Sequence, residues 1–392
     1  MTNPSTPDVA ALRIAHLIEC DGPGGAEHVV ADLVTNLQAA GAHNVVFVPA
    51  DGEGWLAHQL APSGAAIEYF RVERAISSSC ARSLVTAFRR HGIAIAHSHD
   101  FTMGVYGAFA SRWAGVPHVI TMHGGRYYAA RLRNRVALRA AIALSARTLA
   151  VSHHLADQMS QDLWMSRSRI ATILNGVRYV RPDRTTLRHE LGIGPSDRLM
   201  VSVGRLSIEK GHRHLIDAMA LLAARHPTLH LAISGSGPLA AALASQAREL
   251  SLADRVHLLG LRSDVAAILA AADLFVLPSL SEGTPLALLE AMFAGCPIVA
   301  TEVGGVAAAL AHGEGGVFVQ PGNAPALAAA VDSLLNDPDR ARELGRRAAC
   351  RAAAEYDLSR MIGRYVDTYH ELLPGRRLTT YSRFGAARAV SS

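Results

Sequence analysis

The sequence predicts an α/β protein built from two Rossmann-like, doubly wound parallel-sheet domains in tandem. Three observations carry this. Short apolar runs alternate with helical patterns along the chain, the scheme restarts near residue 180, and the runs end in turns bearing Gly, Ser or His. In the first half the predicted strands are 12–18, 45–49, 93–97, 116–122, 148–152 and 170–174; in the second they are 199–203, 229–234, 256–259, 274–278 and 298–301. The seam is expected within 175–184, where Pro182 and polar neighbours interrupt the pattern. This gives domains at 1–180 and 181–357, a last helix near 358–373, and a basic tail at 374–392 carrying Arg376, Arg377, Arg383 and Arg388. Open parallel sheets collect ligands at the carboxyl ends of their strands, so candidate chemistry is sought there.

Composition narrows the class. The chain has 392 residues, half of them apolar, enough for two large cores. Cys20, Cys80, Cys296 and Cys350 show no C-x-x-C spacing, which argues against a disulfide framework or zinc ribbon and for a reducing cytoplasm. Residues 1–8 have neither a basic n-region nor an apolar h-region, so no signal peptide is expected. No uncharged apolar run reaches roughly 18 residues; the best, 136–151, carries Arg139 and Arg147. The net charge of +5 is uneven: through Leu187 there are 18 Arg against 13 acids, and beyond it the signs balance at 20 each. A basic first half fits an anionic partner, or a solvated surface.

The densest motif runs Ser279-Leu280-Ser281-Glu282-Gly283-Thr284-Pro285-Leu286-Ala287-Leu288-Leu289-Glu290-Ala291-Met292. Thr284 suits an N-cap and Pro285 a first helical turn, so a helix is predicted to open here. Its free amides and positive dipole end suit a diphosphate. Glu282 precedes the helix and Glu290 lies inside it. The two cannot share a helical face, so they address different parts of an extended ligand, where carboxylates accept from hydroxyl pairs. Gly295 is placed as the left-handed cap before Pro297.

The second motif is Gly204-Arg205-Leu206-Ser207-Ile208-Glu209-Lys210-Gly211. Its two cations can converge on a diphosphate, Arg as a fork and Lys as a point charge. Lys210 is the chain's sole lysine. Gly24-Gly25-Ala26-Glu27 is a glycine turn opening a helix, but not a dinucleotide fingerprint, because Glu27 stands where the third glycine belongs. His97 and His99 end one predicted strand, and His123-Gly124-Gly125 another. No carboxylate completes a metal site, so packing and hydrogen bonding are expected of the pair. Position assigns His123, and with it His99, to ligand contact. Asp337-Pro338-Asp339, the one D-x-D, reads as a turn and N-cap.

These strings, with Gly235-Ser236-Gly237-Pro238, Gly260, Gly304-Gly305 and Asn175-Gly176-Val177, resemble the retaining GT-B glycosyltransferases of family four, the group containing phosphatidylinositol mannosyltransferases, sucrose synthases and bacterial envelope-glycan enzymes. The likeness runs from about Arg13 to Tyr356 and is more specific in the second half. It implies two domains facing across a cleft, an acceptor-side 1–180 and a donor-binding 181–357, with the last helix crossing back to the first. It implies hexosyl transfer from a UDP- or GDP-sugar to a glycan or lipid-linked acceptor, in envelope or exopolysaccharide synthesis, with no cofactor or metal. Arg205 and Lys210 would hold the diphosphate, Glu290 the ribose and Glu282 a sugar hydroxyl; His123 would lie near the sugar and Gly25 near the phosphates. Gly235, Gly260, Gly283, Thr284, Pro285 and Leu286 would complete the donor site. Two departures touch donor details: Ala307–Ala309 stand where the family has Pro and Glu, and Gly313-Glu314-Gly315-Gly316 replaces Gly-x-Thr-Gly. Both are expected away from the phosphates. A sugar-nucleotide epimerase or a non-catalytic binder on the same scaffold are the rivals.

Arg131, Arg135 and Arg139 recur every fourth residue and would share one helical face, near Tyr127, Tyr128 and Arg133. Such a face could lie on anionic lipid, making the protein cytoplasmic and peripheral at the inner membrane face; a solvated basic face is the other reading. No nucleic-acid partner is expected.

Overall fold

In a computed structural model of the chain, residues 12–71, 78–124, 127–180 and 185–373 are described. The tail arginines, Gly125, Pro182 and Arg184 lie outside them. The chain divides into two compact units, Met1–Asn175 with Leu358–Ser392, and Gly176–Asp357. The division falls inside the expected seam, a few residues before 180.

The first unit holds a seven-stranded sheet: β1 Arg13–Ile18, β2 His43–Pro49, β3 Ala66–Phe70, β4 Ile95–His99, β5 His118–Met122, β6 Arg147–Ala150 and β7 Ala171–Thr172, in the order β3-β2-β1-β4-β5-β6-β7. Every neighbouring pair is parallel. Near-continuous burial along β1, β2, β4 and β5 is what a sheet covered on both faces requires. β3 has no counterpart among the predicted strands. It is an edge strand with a half-exposed pattern and Tyr69 63% exposed, so its hydrophobic signal is weak. The helix Leu358–Leu372 belongs to this unit and buries Leu358, Met361, Tyr365, Val366 and Tyr369, one stripe at helical spacing.

The second unit holds six parallel strands: β8 Arg198–Val203, β9 Leu229–Ser234, β10 Val256–Gly260, β11 Leu274–Leu277, β12 Ile298–Thr301 and β13 Val317–Val319, in the order β10-β9-β8-β11-β12-β13. β13, too short for a periodicity signal, is the other strand the sequence did not mark. Alanine-rich helices such as Ala324–Leu335 and Pro338–Glu355 pack close on this sheet. Asp337 caps the latter, its carboxylate accepting from Arg340 N–H at 3.0 Å, as the D-x-D reading expects.

In both sheets the strand order reverses once, between β1 and β4 in the first unit and between β8 and β11 in the second. Loops leaving neighbouring strands in opposite directions open a crevice at such a point.

Candidate active site

In the second unit the loops at the reversal carry the two strongest motifs. After β8 the chain makes a short 3-10 turn, Ile208–Lys210, and Gly211 takes a left-handed φ of 65°. A Cβ on Gly211 would sit 2.1 Å from the Pro278 carbonyl oxygen. Only glycine lets this turn lie on the end of β11. That contact, with Leu280 N–H donating to the Glu209 carbonyl at 2.7 Å, carries Lys210 to the Glu282 loop. Lys210 Nζ donates to both Glu282 carboxylate oxygens, at 2.7 and 2.9 Å. Ser279 Oγ adds a bond to Oε1 at 2.6 Å, and Thr301 Oγ1 holds the Ser279 carbonyl at 2.5 Å. The Glu282 side chain is 5% exposed and that of Lys210 27%, so this is a largely desolvated, directed ion pair.

The helix after Glu282 runs Leu286–Phe293. Its start corrects the expected cap: Pro285, with extended backbone, occupies the N-cap position, and no side chain caps the helix. Thr284 is one residue too early and is buried. Proline fits here because the N-cap residue needs no helical amide bond. Glu290 is half-buried inside the helix, and Gly295 takes the left-handed φ of 69° expected of its cap. The Gly304-Gly305 turn packs on the same loop. A Cβ on Gly304 would lie 1.8 Å from the Glu282 carbonyl oxygen, and Gly305 N–H donates to the Gly283 carbonyl at 2.8 Å. The first family departure, at Ala307–Ala309, follows this turn directly.

Arg205 lies exposed in the turn after β8. That turn is pinned to the next loop: Leu206 N–H donates to the Ser236 carbonyl at 2.8 Å, and Gly235 N–H to the Gly260 carbonyl at 2.8 Å. The structure thus joins Lys210 with Glu282 and leaves the guanidinium of Arg205 in solvent.

The first unit's reversal is built differently. Gly24 is the N-cap of helix Gly25–Ala39, so that helix begins before the expected His28. A Cβ on Gly24 would strike the buried Glu27 carboxylate, 2.2 Å away, whereas one on Gly25 would meet nothing within 4 Å. Asp21, buried, accepts from Glu53 N–H at 2.6 Å and Gly54 N–H at 2.9 Å, tying the loop after β1 to the start of helix Trp55–Leu60. On the β4 side, Asp100 has a positive φ of 64°, unusual outside glycine, and its Oδ1 accepts from His123 N–H at 2.9 Å. Burial pushes the Asp100 carboxyl up to about 8.

Histidines fill the space beneath. His99 Nδ1 meets His123 Nε2 at 2.9 Å, and His16 Nδ1 meets His99 Nε2 at 3.4 Å. His97 bonds the Tyr369 hydroxyl and Thr121 Oγ1, both at 2.7 Å. Burial lowers His16 to about 4, His123 to about 3, and His97 and His99 well below the usual range. Ligand atoms of His16, His97 and His99 lie within 4.8 Å of one another, close enough for a metal ion. Each of their ring nitrogens already has a hydrogen-bond partner, so the group is a hydrogen-bonded cluster in this state. Sequence reasoning missed His16, Asn44 and Tyr369. The signal for His16 was a polar residue inside an otherwise apolar strand.

One part of the expected basic face at 131–139 is corrected, the place of Arg131. Arg131 is the N-cap of helix Leu132–Leu144 and stands outside its regular turns. Arg135 donates from Nε and Nη2 to the Ala129 carbonyl at 2.9 and 2.7 Å and lies over the Trp164 ring, while Arg139 Nη1 holds the Leu163 and Trp164 carbonyls at 2.7 Å each. Two of the three arginines are thus spent on the protein's own backbone. Beside them Leu132, Val136 and Trp164 are 65%, 58% and 60% exposed.

Two all-parallel α/β units, each with polar residues where strand order reverses, are the architecture of the GT-B fold. Known proteins agree. Residues 183–351 match the family model for glycosyl transferases group 1, and 23–181 match that for glycosyltransferase family 4. An alpha-D-kanosaminyltransferase of Streptomyces kanamyceticus is 31% identical over 72% of this chain and 79% of its own. An N-acetyl-alpha-D-glucosaminyl L-malate synthase of Bacillus anthracis is 29% identical over 57% of this chain, and the match spans 59% of that relative's length. Among solved structures, Anabaena HepE in complex with UDP-glucose superposes with a TM-score of 0.80 at 24% identity, over 92% of this chain and all of that one. The chain belongs to glycosyltransferase family 4, and it is a glycosyltransferase.

Proposed function

We propose that the protein transfers a hexosyl group, with retention and without a metal, from a UDP- or GDP-sugar to a glycan or lipid-linked acceptor of the cell envelope. The observation that carries this reading is the Lys210–Glu282 pair beside the opening of helix Leu286–Phe293. A lysine held by one carboxylate at a helix N-terminus can trade that partner for a diphosphate, whose charge also meets the free amides at Leu286 and beyond. In this reading Lys210 and Arg205 neutralise the leaving diphosphate, Glu282 is released to a hydroxyl of the sugar, and Glu290 takes the ribose. Gly283, Thr284, Pro285 and Leu286 line the phosphates, with Gly235 and Gly260 in the adjoining turns. By the same reading Gly25 lies near phosphate and His123 near sugar.

Catalysis then rests on preorganised charge. The acceptor attacks the face from which the diphosphate leaves, and the departing phosphate oxygen takes its proton. The relative solved with UDP-glucose makes that donor the first to try. No helix among the described residues is long and apolar enough to cross a membrane. The exposed Leu132, Val136 and Trp164, with Arg131 and Arg133 alongside, suit a peripheral hold on anionic lipid.

Thermal-shift titration with UDP-glucose and GDP-mannose, followed by transfer assays with and without EDTA, tests the proposal. Stabilisation by one of them and EDTA-insensitive transfer are expected. A requirement for added divalent metal would overturn the metal-free mechanism, and an inverted anomeric product would overturn retention.

A further inference from the structure

The rings of His16, His99 and His123 form a row whose polarity is decided at its far end. The Asn44 backbone N–H donates to Gln38 Oε1 at 3.2 Å, and a backbone amide cannot reverse its role. Gln38 therefore presents oxygen, and Asn44 Nδ2 donates to that same atom at 3.0 Å. Asn44 is left with Oδ1 toward His16 Nε2, 3.3 Å away. Burial keeps the three rings neutral, so each carries a single N–H. His16 Nε2 must donate to Asn44, which makes His16 Nδ1 an acceptor. His99 Nε2 donates to it at 3.4 Å, and His99 Nδ1 in turn accepts from His123 Nε2 at 2.9 Å. The row ends on His123 Nδ1, a lone pair shut away from solvent and without a partner among the described residues.

Packing alone does not account for this. A buried acceptor left unmade costs about 1–3 kcal/mol, a defect that persists where a ligand makes use of it. His123 as a residue is only half-buried, and Gly124 follows it with a φ of 146° that favours glycine.

We propose that Gln38, Asn44, His16 and His99 are positioning residues that lock His123 as the Nε2–H tautomer, so that its Nδ1 accepts a hydrogen bond from a hydroxyl of the bound sugar. This rests on the reading of His123 as the sugar-facing group. It also sets a specificity rule: the sugar must offer a donor at that position, so a fluoro substituent, which only accepts, is taken no better than a hydrogen.

The test uses the full chain with nitrogen-15 histidine, because long-range proton–nitrogen spectra show which ring nitrogen carries the proton. The wild-type protein is expected to show His16, His99 and His123 all protonated on Nε2. Gln38→Ala frees Asn44 to turn over, and Asn44→Leu deletes the acceptor. Both should give a tautomer mixture at His123 and lower kcat/KM for transfer about tenfold, the scale of one hydrogen bond to substrate. Gln38→Ala keeps the test open if Asn44→Leu does not fold. A wild-type His123 carrying its proton on Nδ1 overturns the relay. So does a loss of rate in these variants with the His123 tautomer unchanged, which would make the row a packing device. Absence of transfer by the wild-type protein would strike the functional reading instead, and the spectra would then decide the relay alone.

Discussion

The two points where strand order reverses share a topology and differ in chemistry. In the second unit the loops after β8 and β11 meet through a charged pair, Lys210 and Glu282, with glycines 211 and 304 pressed against backbone to make the meeting possible. In the first unit the space below β1 and β4 is filled by neutral imidazoles, and the Asp100 carboxyl is pushed toward its protonated form. Mobile charge at one end suits an anionic leaving group. A neutral surface of fixed donors and acceptors suits hydroxyls, which are recognised by direction rather than charge.

Removing the charge should have the largest effect. Lys210→Ala is expected to lower kcat by about 10²–10³, the scale for one transition-state charge partner. Steady-state kinetics checks it, and unchanged turnover with only a raised KM for the donor would break the contrast between the two points. A glycine pair sharpens it next. Gly211→Ala faces both a left-handed φ and the Pro278 carbonyl, so it should cost about 2 kcal/mol or more in urea unfolding. Gly25→Ala meets open space at the first position of a helix, and should leave the unfolding midpoint unchanged or slightly raised while weakening donor binding. Equal loss of donor binding and stability in Gly25→Ala would remove the reason to place ligand there.

Acid should then separate the units. For His16, His97, His99, His118 and His123 the folded-state pKa is lowered, so below pH 6.5 the unfolded chain binds protons that the folded chain refuses. Stability therefore falls as pH drops from 6.5 toward about 4, by up to about 1.4 kcal/mol per histidine per pH unit. Asp100, raised to about 8, has the opposite sign but is one group against five. The second unit has His212, lowered to about 4, as its strongly shifted counterpart. Calorimetry between pH 7 and 5 should show the first unit's transition falling faster; transitions that move together would contradict it. The smallest effect is expected at the surface. Leu132→Ser with Val136→Ser should reduce co-sedimentation with anionic vesicles a few-fold, since these side chains, not Arg135 and Arg139, are free to enter lipid.

Much of this was legible in the chain. Apolar runs marked eleven of the thirteen strands among the described residues, and what they missed, β3 and β13, are an exposed edge and a three-residue strand with no period to read. Lys210 and Glu282 were marked as one site because each follows a strand and precedes a helix, a local property. The N-cap was misplaced by one residue because Thr284 and Pro285 both suit a helix start, and local preference does not choose between adjacent positions. The backbone carbonyls held by Arg135 and Arg139 were not legible for another reason. Spacing shows which residues share a face, but not which carbonyls lie within reach.

By itself the sequence determined the alternation of strands and helices, the family, and which residue types stand at the strand ends, since all of these follow from local pattern. Only the tertiary structure decided that Lys210 reaches Glu282, that Gly304 presses on the same loop, and that Asn44 sets the protons of histidines on other strands. Those contacts join residues 22 to 83 positions apart, and no local preference in a chain encodes a distance that folding alone creates.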